Sequence, residues 1–430
     1  MNGTFFDRKT YQELLGKRVG SLKDGYRQNI AIVGDELVGK TSIVGHFLAG
    51  FYDPCTLPVY LEVRPETYAA FSRRFAAVLL YNFLLNSAIP LKEDLGFLLR
   101  RASSYIPRTA KKIDLILEAF EKRKKNPSIA EIFGLCDSLH EESGKFCVII
   151  LDEFHNLESL GVRNLYPDWS RLLIAQKTTL YVIISSMKFK ARTILAKHLS
   201  LLFGNFEMVT VEPFDIMTSE EYLGHVTQGQ PIPAEWKDFI VHFTGGSPFY
   251  LDVVVKSLAR APGDDIVNTL EDLLFEPSGL LHQRFTNYLK RFADSSKSQA
   301  YASILYCIAG GHNKMKEIAH RVGKTRKELT AYIATLLECD CLTRSADFFT
   351  INDRVFGFWL KFVHEQQMNS LTLDAKAQKD IFRGCIQTMI QEYLAQTKKS
   401  VIERTTEILH LFEDDAVQIE AKRVRLDRFR

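Results

Sequence analysis

Long hydrophobic runs, paired cysteines and a charge imbalance are all missing from this chain of 430 residues. The longest mainly apolar stretch, residues 75–85, falls well short of the ~20 residues that a membrane-spanning helix needs. Seven cysteines, at positions 55, 136, 147, 307, 339, 341 and 385, form no CxxC pair, and their number is odd. That favours thiols in a reducing compartment over a disulfide framework or a zinc site. A formal net charge of +3 is too small to mark the whole surface for nucleic acid, so any basic site must be local. There is no HExxH, no Cys/His cluster, no Ser/His/Asp triad spacing, no internal repeat and no low-complexity segment. The opening MNGTFFDRKT lacks a charged region followed by an apolar one, so no signal peptide is expected. The expected setting is the cytoplasm, away from membranes.

What is present is ordinary globular material: 46% apolar and 25% charged residues, and enough length for two to four domains with a sizeable core. Residues 5–20 carry apolar positions at helical spacing. Short β-branched runs at 30–33, 56–63 (TLPVYLEV), 146–151 (FCVIIL), 180–185 (LYVIIS) and 206–211 (FEMVTV) read as strands. Pro58 suits the second of them to a sheet edge. Helical patterns lie between the strands, broken at Pro90 and Pro107, and EKRKK (121–125) reads as a solvated helix end. This alternation predicts a mostly parallel sheet covered on both faces. After Pro213 the strands stop. Thr218-Ser-Glu-Glu221 has the form of a capping box opening a helical segment, and ADSSKSQ (293–299) marks a boundary.

Residues 34–41, GDELVGKT, match GxxxxGK[ST] at every fixed position, between a buried strand and a helix. Average residue usage yields such a match by chance in on the order of one in a hundred chains of this length. Glycines let the backbone curl around a phosphate, and the helix N-terminus adds a favourable dipole. The expected cradle comprises Gly34, Glu36, Val38, Gly39, Lys40, Thr41 and Ser42. Lys40 would reach the β- and γ-phosphates, and Thr41 would take a place on Mg²⁺. Asp35 and Glu36 are tolerable because such loops bind through the backbone. A second anchor for the metal follows in LDEFHNL (151–157). Asp152 would hold Mg²⁺ through water, and Glu153 would activate the attacking water. His155 reads as a structural histidine. Ser185 and Ser186 close the next strand. Ser186 could touch the γ-phosphate or the water, and a helix cap by either serine is the plain alternative.

With these pieces in order, the chain resembles the archaeal-type ATPases, AAA-like P-loop proteins akin to signal-transduction and replication-initiator ATPases. Phe5-Phe6-Asp7-Arg8, the P-loop, LDEFHNL, the Ser185-Ser186 strand end, LLFGNFEMVTVEPFD (201–215), TGGSPFYL (244–251) and residues 306–359 carry the resemblance. It covers roughly residues 4–365 and implies an α/β fold: a P-loop NTPase core with a parallel five-stranded sheet, a helical lid and a winged helix-turn-helix, to which the helical pattern of the remaining residues adds a helical C-terminal tail. The expected domains are 1–213, 214–295, 296–364 and 365–430. It also implies ATP with Mg²⁺ as ligands, slow hydrolysis, and Arg8 near the base. The turn holding Pro248 would bring the lid over the nucleotide, with a simple helix connection as the alternative. Relatives begin with Gly-Arg-Glu where this chain has Asp7-Arg8-Lys9. They often place an arginine where it has Asn205, and Arg163, Arg171 and Arg192 are unranked substitutes.

Independently of that resemblance, residues 314–351 read as helix, turn, helix and a two-stranded wing. Six basic residues between 314 and 328 face only Glu317 and Glu328. Lys324, Arg326 and Lys327 open the second helix, which suits duplex DNA. Protein docking or intramolecular packing is the competing use of such a module, and a homo-oligomer or a partner protein is a separate expectation for the chain. QIEAK (418–422) looks like a nuclease ExK motif, but the surrounding acids do not fit, and a solvated basic strand or tail is expected.

Overall fold

The computed structural model describes residues 5–122, 126–199, 206–227, 232–260, 265–292, 298–369, 374–410, 416–419 and 422–425. The chain divides into two compact units, residues 1–212 and 213–430. Asn205, and most of the 121–125 and 293–299 stretches, lie outside the described residues.

In the first unit the β-branched runs form β1 (Asn29–Val33), β2 (Thr56–Glu62), β3 (Phe146–Asp152), β4 (Thr179–Ser185) and β5 (Phe206–Thr210). They make one parallel sheet in the order β2-β3-β4-β1-β5. The edge position of β2 accommodates Pro58, since an edge strand can spare a ladder N–H. β1, β3 and β4 are buried nearly throughout, as strands covered on both faces must be. Alternation sends Ile30 and Ile32 of β1 to one face, where Leu15, Val19, Leu22, Ile43 and Val44 of the flanking helices cover them. Ala31 and Val33 point to the other face, with Phe71, Phe75, Phe133 and Trp169. The helix Lys9–Lys23 and the helix Lys40–Gly50 supply the first layer. The helices Tyr68–Asn86, Leu95–Ala102 and Pro107–Glu121 belong to the second; Pro90 lies in the break between the first two, and Pro107 opens the third.

Among its described residues, the second unit is helical apart from two hairpins and the connecting turns. The helices Ile216–Val226, Ala234–Thr244, Pro248–Arg260 and Leu280–Lys290 come first. The first of these corrects the capping expectation. Its cap is Asp215, whose carboxylate accepts from the Thr218 N–H at 2.7 Å. Thr218 thus lies inside the helix, and Asp, a stronger cap than Thr, sets the start earlier. Between Thr244 and Pro248 the chain turns through Gly245 (φ 62°) and Gly246 (φ 73°). A Cβ on Gly246 would lie 2.1 Å from the Phe214 carbonyl oxygen, so only glycine fits.

Next come the helices Ser298–Ala309, Met315–Val322 and Arg326–Glu338 and the antiparallel pair β6 (Leu342–Ser345) and β7 (Phe348–Ile351). This is a winged helix-turn-helix. Its turn is Gly323, at φ 64°. The helix Ala375–Thr397 is tied back to this unit by Arg383 and Lys379, both paired with the buried Glu271. A second hairpin pairs β8 (Ala416–Ile419) with β9 (Lys422–Arg425) and holds Gln418, Ile419 and Lys422 of the QIEAK stretch, whose residues 420–421 lie outside the described residues. No helix among the described residues is long and apolar enough to cross a membrane. All seven cysteines are thiols.

Candidate functional site

The C-terminal ends of β1, β3 and β4 converge on the loop of residues 34–41. Gly34 leaves β1 with its N–H on the Ser185 carbonyl at 3.3 Å. A Cβ there would come within 2.4 Å of the Val211 carbonyl oxygen, so the first glycine of the motif is required by close backbone approach. Left-handed backbone at Leu37 (φ 66°) and Gly39 (φ 94°) then curls the chain, the curvature of which anion nests are built. Buried Val38 pins the loop from below. No side chain caps the helix Lys40–Gly50, which leaves its first-turn N–H groups, including those of Thr41 and Ser42, for another acceptor.

Lys40 is 5% exposed. Its Nζ donates to the carbonyl oxygens of Gly34 at 2.9 Å and Asp35 at 2.6 Å. Burial lowers its pKa, against the pull of Glu153, Asp152, Asp35 and Glu36. A desolvated ammonium resting on two neutral carbonyls is a charge that an anion would stabilise further. Thr41 Oγ1 donates to Asp152 Oδ2 at 2.7 Å, and Tyr60 OH donates to the same oxygen at 2.8 Å. Burial pushes the Tyr60 phenol up, so it stays a donor. Hydroxyl and carboxylate oxygens meeting beside a phosphate cradle are the hard donor set that Mg²⁺ takes. The residues fit that ion.

Glu153 follows in left-handed backbone, φ 51°, its N–H on Asp152 Oδ1 at 3.0 Å. Its Oε2 accepts from the Ser186 N–H at 3.0 Å and the Ser186 hydroxyl at 2.8 Å. Burial raises the Glu153 pKa, opposed by the two Ser186 hydrogen bonds. His155 Nδ1 lies 2.8 Å from Ser185 Oγ and 3.3 Å from Glu153 Oε2. Burial, with the Lys190 charge, pushes this imidazole down to about 4, so it is neutral at pH 7 and the contact with Glu153 is no ion pair. The Ser185 hydroxyl also lies 3.2 Å from the Met187 carbonyl, as a donor to it. Ser185 also accepts from the Met187 N–H, and no side chain caps the helix Lys188–Lys197 that follows.

The loop acids divide. Asp35 is held by Lys188, whose Nζ lies 2.7 Å from Oδ1 and 2.9 Å from Oδ2. Glu36 is half-buried. The N-terminal element also reaches this region. Arg8, in left-handed backbone (φ 72°), donates to the carbonyls of Glu212 at 2.8 Å and Val38 at 3.4 Å. Phe5 stacks on His46 of the loop's helix, centroids 3.8 Å apart. Of the three substitute arginines, Arg171 is 3.5 Å from Asp168, and Arg163 and Arg192 are exposed. Thus the first unit gathers Gly34, Glu36, Val38, Gly39, Lys40, Thr41, Ser42, Asp152, Glu153, Ser186 and Arg8. Pro248 belongs to the second unit, as the first residue of its helix.

Sequence reasoning missed Tyr60 and the Asp35–Lys188 pair. Tyr60 left a faint signal: it is a polar-tipped residue on an edge strand whose register sets Glu62 beside Asp152. Lys188 left none, standing 153 positions from Asp35.

In the winged helix, Thr325 caps the second helix and shares a capping box with Glu328. Glu328 Oε2 takes the Thr325 hydroxyl at 2.7 Å and N–H at 3.0 Å. Glu317 likewise faces the Lys314 N–H. The two acids expected to offset the basic run are therefore turned toward backbone donors. Arg326 and Lys327 are exposed, and Lys324 Nζ sits 5.3 Å from the Tyr332 ring centroid.

No protein-family model matches the chain. An uncharacterized protein of Methanocaldococcus jannaschii is 22% identical over 231 residues, 50% of this chain and 48% of that relative. The chain therefore aligns with about half the length of this curated relative. Among solved structures, the Walker-type ATPase of Pyrococcus abyssi is similar with a TM-score of 0.57 and 21% identity, over 83% of this chain and 96% of that one. The ORC2 protein of Aeropyrum pernix, in its ADPNP-ADP complexes, gives a TM-score of 0.47 at 12% identity, over 92% and 96% of the two chains. The first of these structures sets the fold: this chain has the P-loop fold of an archaeal Walker-type ATPase.

Proposed function

We propose that this chain is a Mg²⁺-dependent ATP-binding switch and slow ATPase, coupled to a winged helix that engages duplex DNA. The observation that carries the nucleotide reading is the convergence of Thr41 and Asp152 at 2.7 Å beside the buried Lys40 ammonium. Gly34, Gly39 and the N–H groups of residues 36, 38 and 40–42 form the phosphate cradle. Lys40 neutralises the β- and γ-phosphates; Thr41, and Asp152 through water, would hold Mg²⁺, which would screen phosphate charge. Glu153 accepts a proton from the attacking water, and Ser186 holds its carboxylate in place. Arg8 and Phe5 lie toward the base. The choice of adenine rests on the family resemblance and on the absence of an NKxD-type guanine-reading motif from the sequence. Residues 214–295, with Pro248, act as the lid, 296–364 as the winged helix and 365–430 as a helical extension. The rate is expected to be low, because an arginine at the transferring phosphate can be worth ~10³–10⁵ in rate, and Asn205 stands where the family resemblance often places one. A calorimetric titration of the full chain tests the nucleotide reading: Mg-ATP should bind in preference to Mg-GTP, and chelating Mg²⁺ should weaken binding.

The DNA arm of this reading is supported by the exposed cations at the start of the helix Arg326–Glu338. Replacing Lys324, Arg326 and Lys327 together by Ala should weaken binding to unrelated duplexes alike. It should also flatten the salt dependence by about two to three units of slope, with Mg-ATP binding intact. An anisotropy titration at several salt concentrations measures both. The competing reading, a winged helix that docks protein through its apolar face, wins if wild-type chain binds no duplex at low salt with or without ATP.

A further inference from the structure

Two lysines, not one, are held on the 34–41 loop. Lys40 rests on the loop's carbonyls, among them that of Asp35, and Lys188 grips the Asp35 carboxylate through both of its oxygens. Lys188 is the first residue of the helix Lys188–Lys197. A cation there faces the positive end of the helix dipole, which disfavours it, so its position gains nothing for the helix. Its side chain is only 23% exposed, which limits its access to water. Two residues earlier, Ser186 grips Glu153. Lys188 therefore projects from the segment that also positions Glu153, toward the loop that would hold the phosphates.

We propose that Lys188 is a phosphate-reading residue, held by Asp35 so that its ammonium meets the terminal phosphate of a nucleoside triphosphate. This rests on the nucleotide reading of the loop and adds to it a discriminator between tri- and diphosphate. An ammonium has three donors, and Asp35 offers two acceptors, so a phosphate oxygen can be taken without releasing the carboxylate. The bland account is that Lys188 only screens Asp35, sparing a polyphosphate the repulsion of a carboxylate in its own cradle.

A double-variant cycle read by calorimetry on the full chain separates the two. Lys188→Met should weaken Mg-ATP binding roughly tenfold or more, as expected for loss of a charge-assisted hydrogen bond. It should change Mg-ADP binding by less than about threefold, and Lys188→Arg should restore most of the ATP affinity. Asp35→Asn alone should have a small effect, because the amide oxygen still accepts from the Lys188 ammonium and a charge near the phosphates is lost with the carboxylate, and Lys188→Met with Asp35→Asn should bind ATP as weakly as Lys188→Met. If removing Asp35 rescues Lys188→Met, screening is the whole role and the proposal is overturned. Equal losses for ATP and ADP overturn it too, because they mark a change in the loop rather than in phosphate reading. Wild-type chain that binds neither nucleotide removes the nucleotide reading itself, and this inference with it.

Discussion

Lys40→Ala should abolish most nucleotide affinity, by about a hundredfold or more, while the free protein keeps its fold and becomes no easier to unfold. Both halves come from the same side chain. On the binding side, Lys40 is the buried cation at the mouth of the cradle, and backbone amides screen phosphate charge only in part. On the stability side, burial is the largest influence on its ammonium and lowers its pKa. A base whose pKa is lowered by folding is charged at a cost: the penalty is full below the folded pKa, falls as the pH rises from there toward the unfolded value of 10.5, and is gone above it. Alanine removes that cost along with two hydrogen bonds to carbonyls, so the melting temperature without nucleotide should hold or rise. This is the trade of stability for function seen at many binding sites. Calorimetry with Mg-ATP and a thermal melt of the free protein measure the two halves. Unchanged ATP affinity would falsify the cradle assignment.

Glu153→Gln should leave Mg-ATP binding at or above the wild-type level and lower turnover by ~10²–10⁴. An amide cannot accept the proton of an attacking water. It can still accept from the Ser186 N–H and hydroxyl that now hold Oε2, so the local structure should survive. Burial raises the basicity of Glu153, which suits it to the task, and removing an anion near the phosphates should not weaken binding. Steady-state phosphate release, measured beside a binding titration, separates the steps. A variant that hydrolyses ATP at the wild-type rate ends the general-base role.

Much of the core was legible because it depends on local chemistry. Five β-branched runs became five strands, since buried parallel strands must be apolar on both faces, and Pro58 marked an edge. The GxxxxGKT spacing was legible because only a few residue types tolerate that curl, as the 2.4 Å clash awaiting a Cβ on Gly34 illustrates. The rest depends on distance through space. Tyr60 joins Asp152, 92 positions away, and Lys188 joins Asp35 across 153, and no periodicity reports such pairs. The Asp215 cap was misplaced for a smaller reason. Two eligible caps stood three residues apart, and only the backbone path decides which one turns outward.

The order β2-β3-β4-β1-β5 has a consequence for how the molecule comes into being. β1 is the first strand to leave the ribosome, yet both its neighbours, β4 and β5, are the last strands of the sheet. Until Thr179–Ser185 and Phe206–Thr210 exist, the strand Asn29–Val33 has no sheet partner, and the loop behind it has nothing to anchor Gly34. Such long-range closure is slow, and apolar edges exposed meanwhile invite misassembly. The cradle of residues 34–41 is thus completed only once Phe206–Thr210 has been made, and nascent chains halted before β5 should lack the protease resistance that slightly longer ones possess.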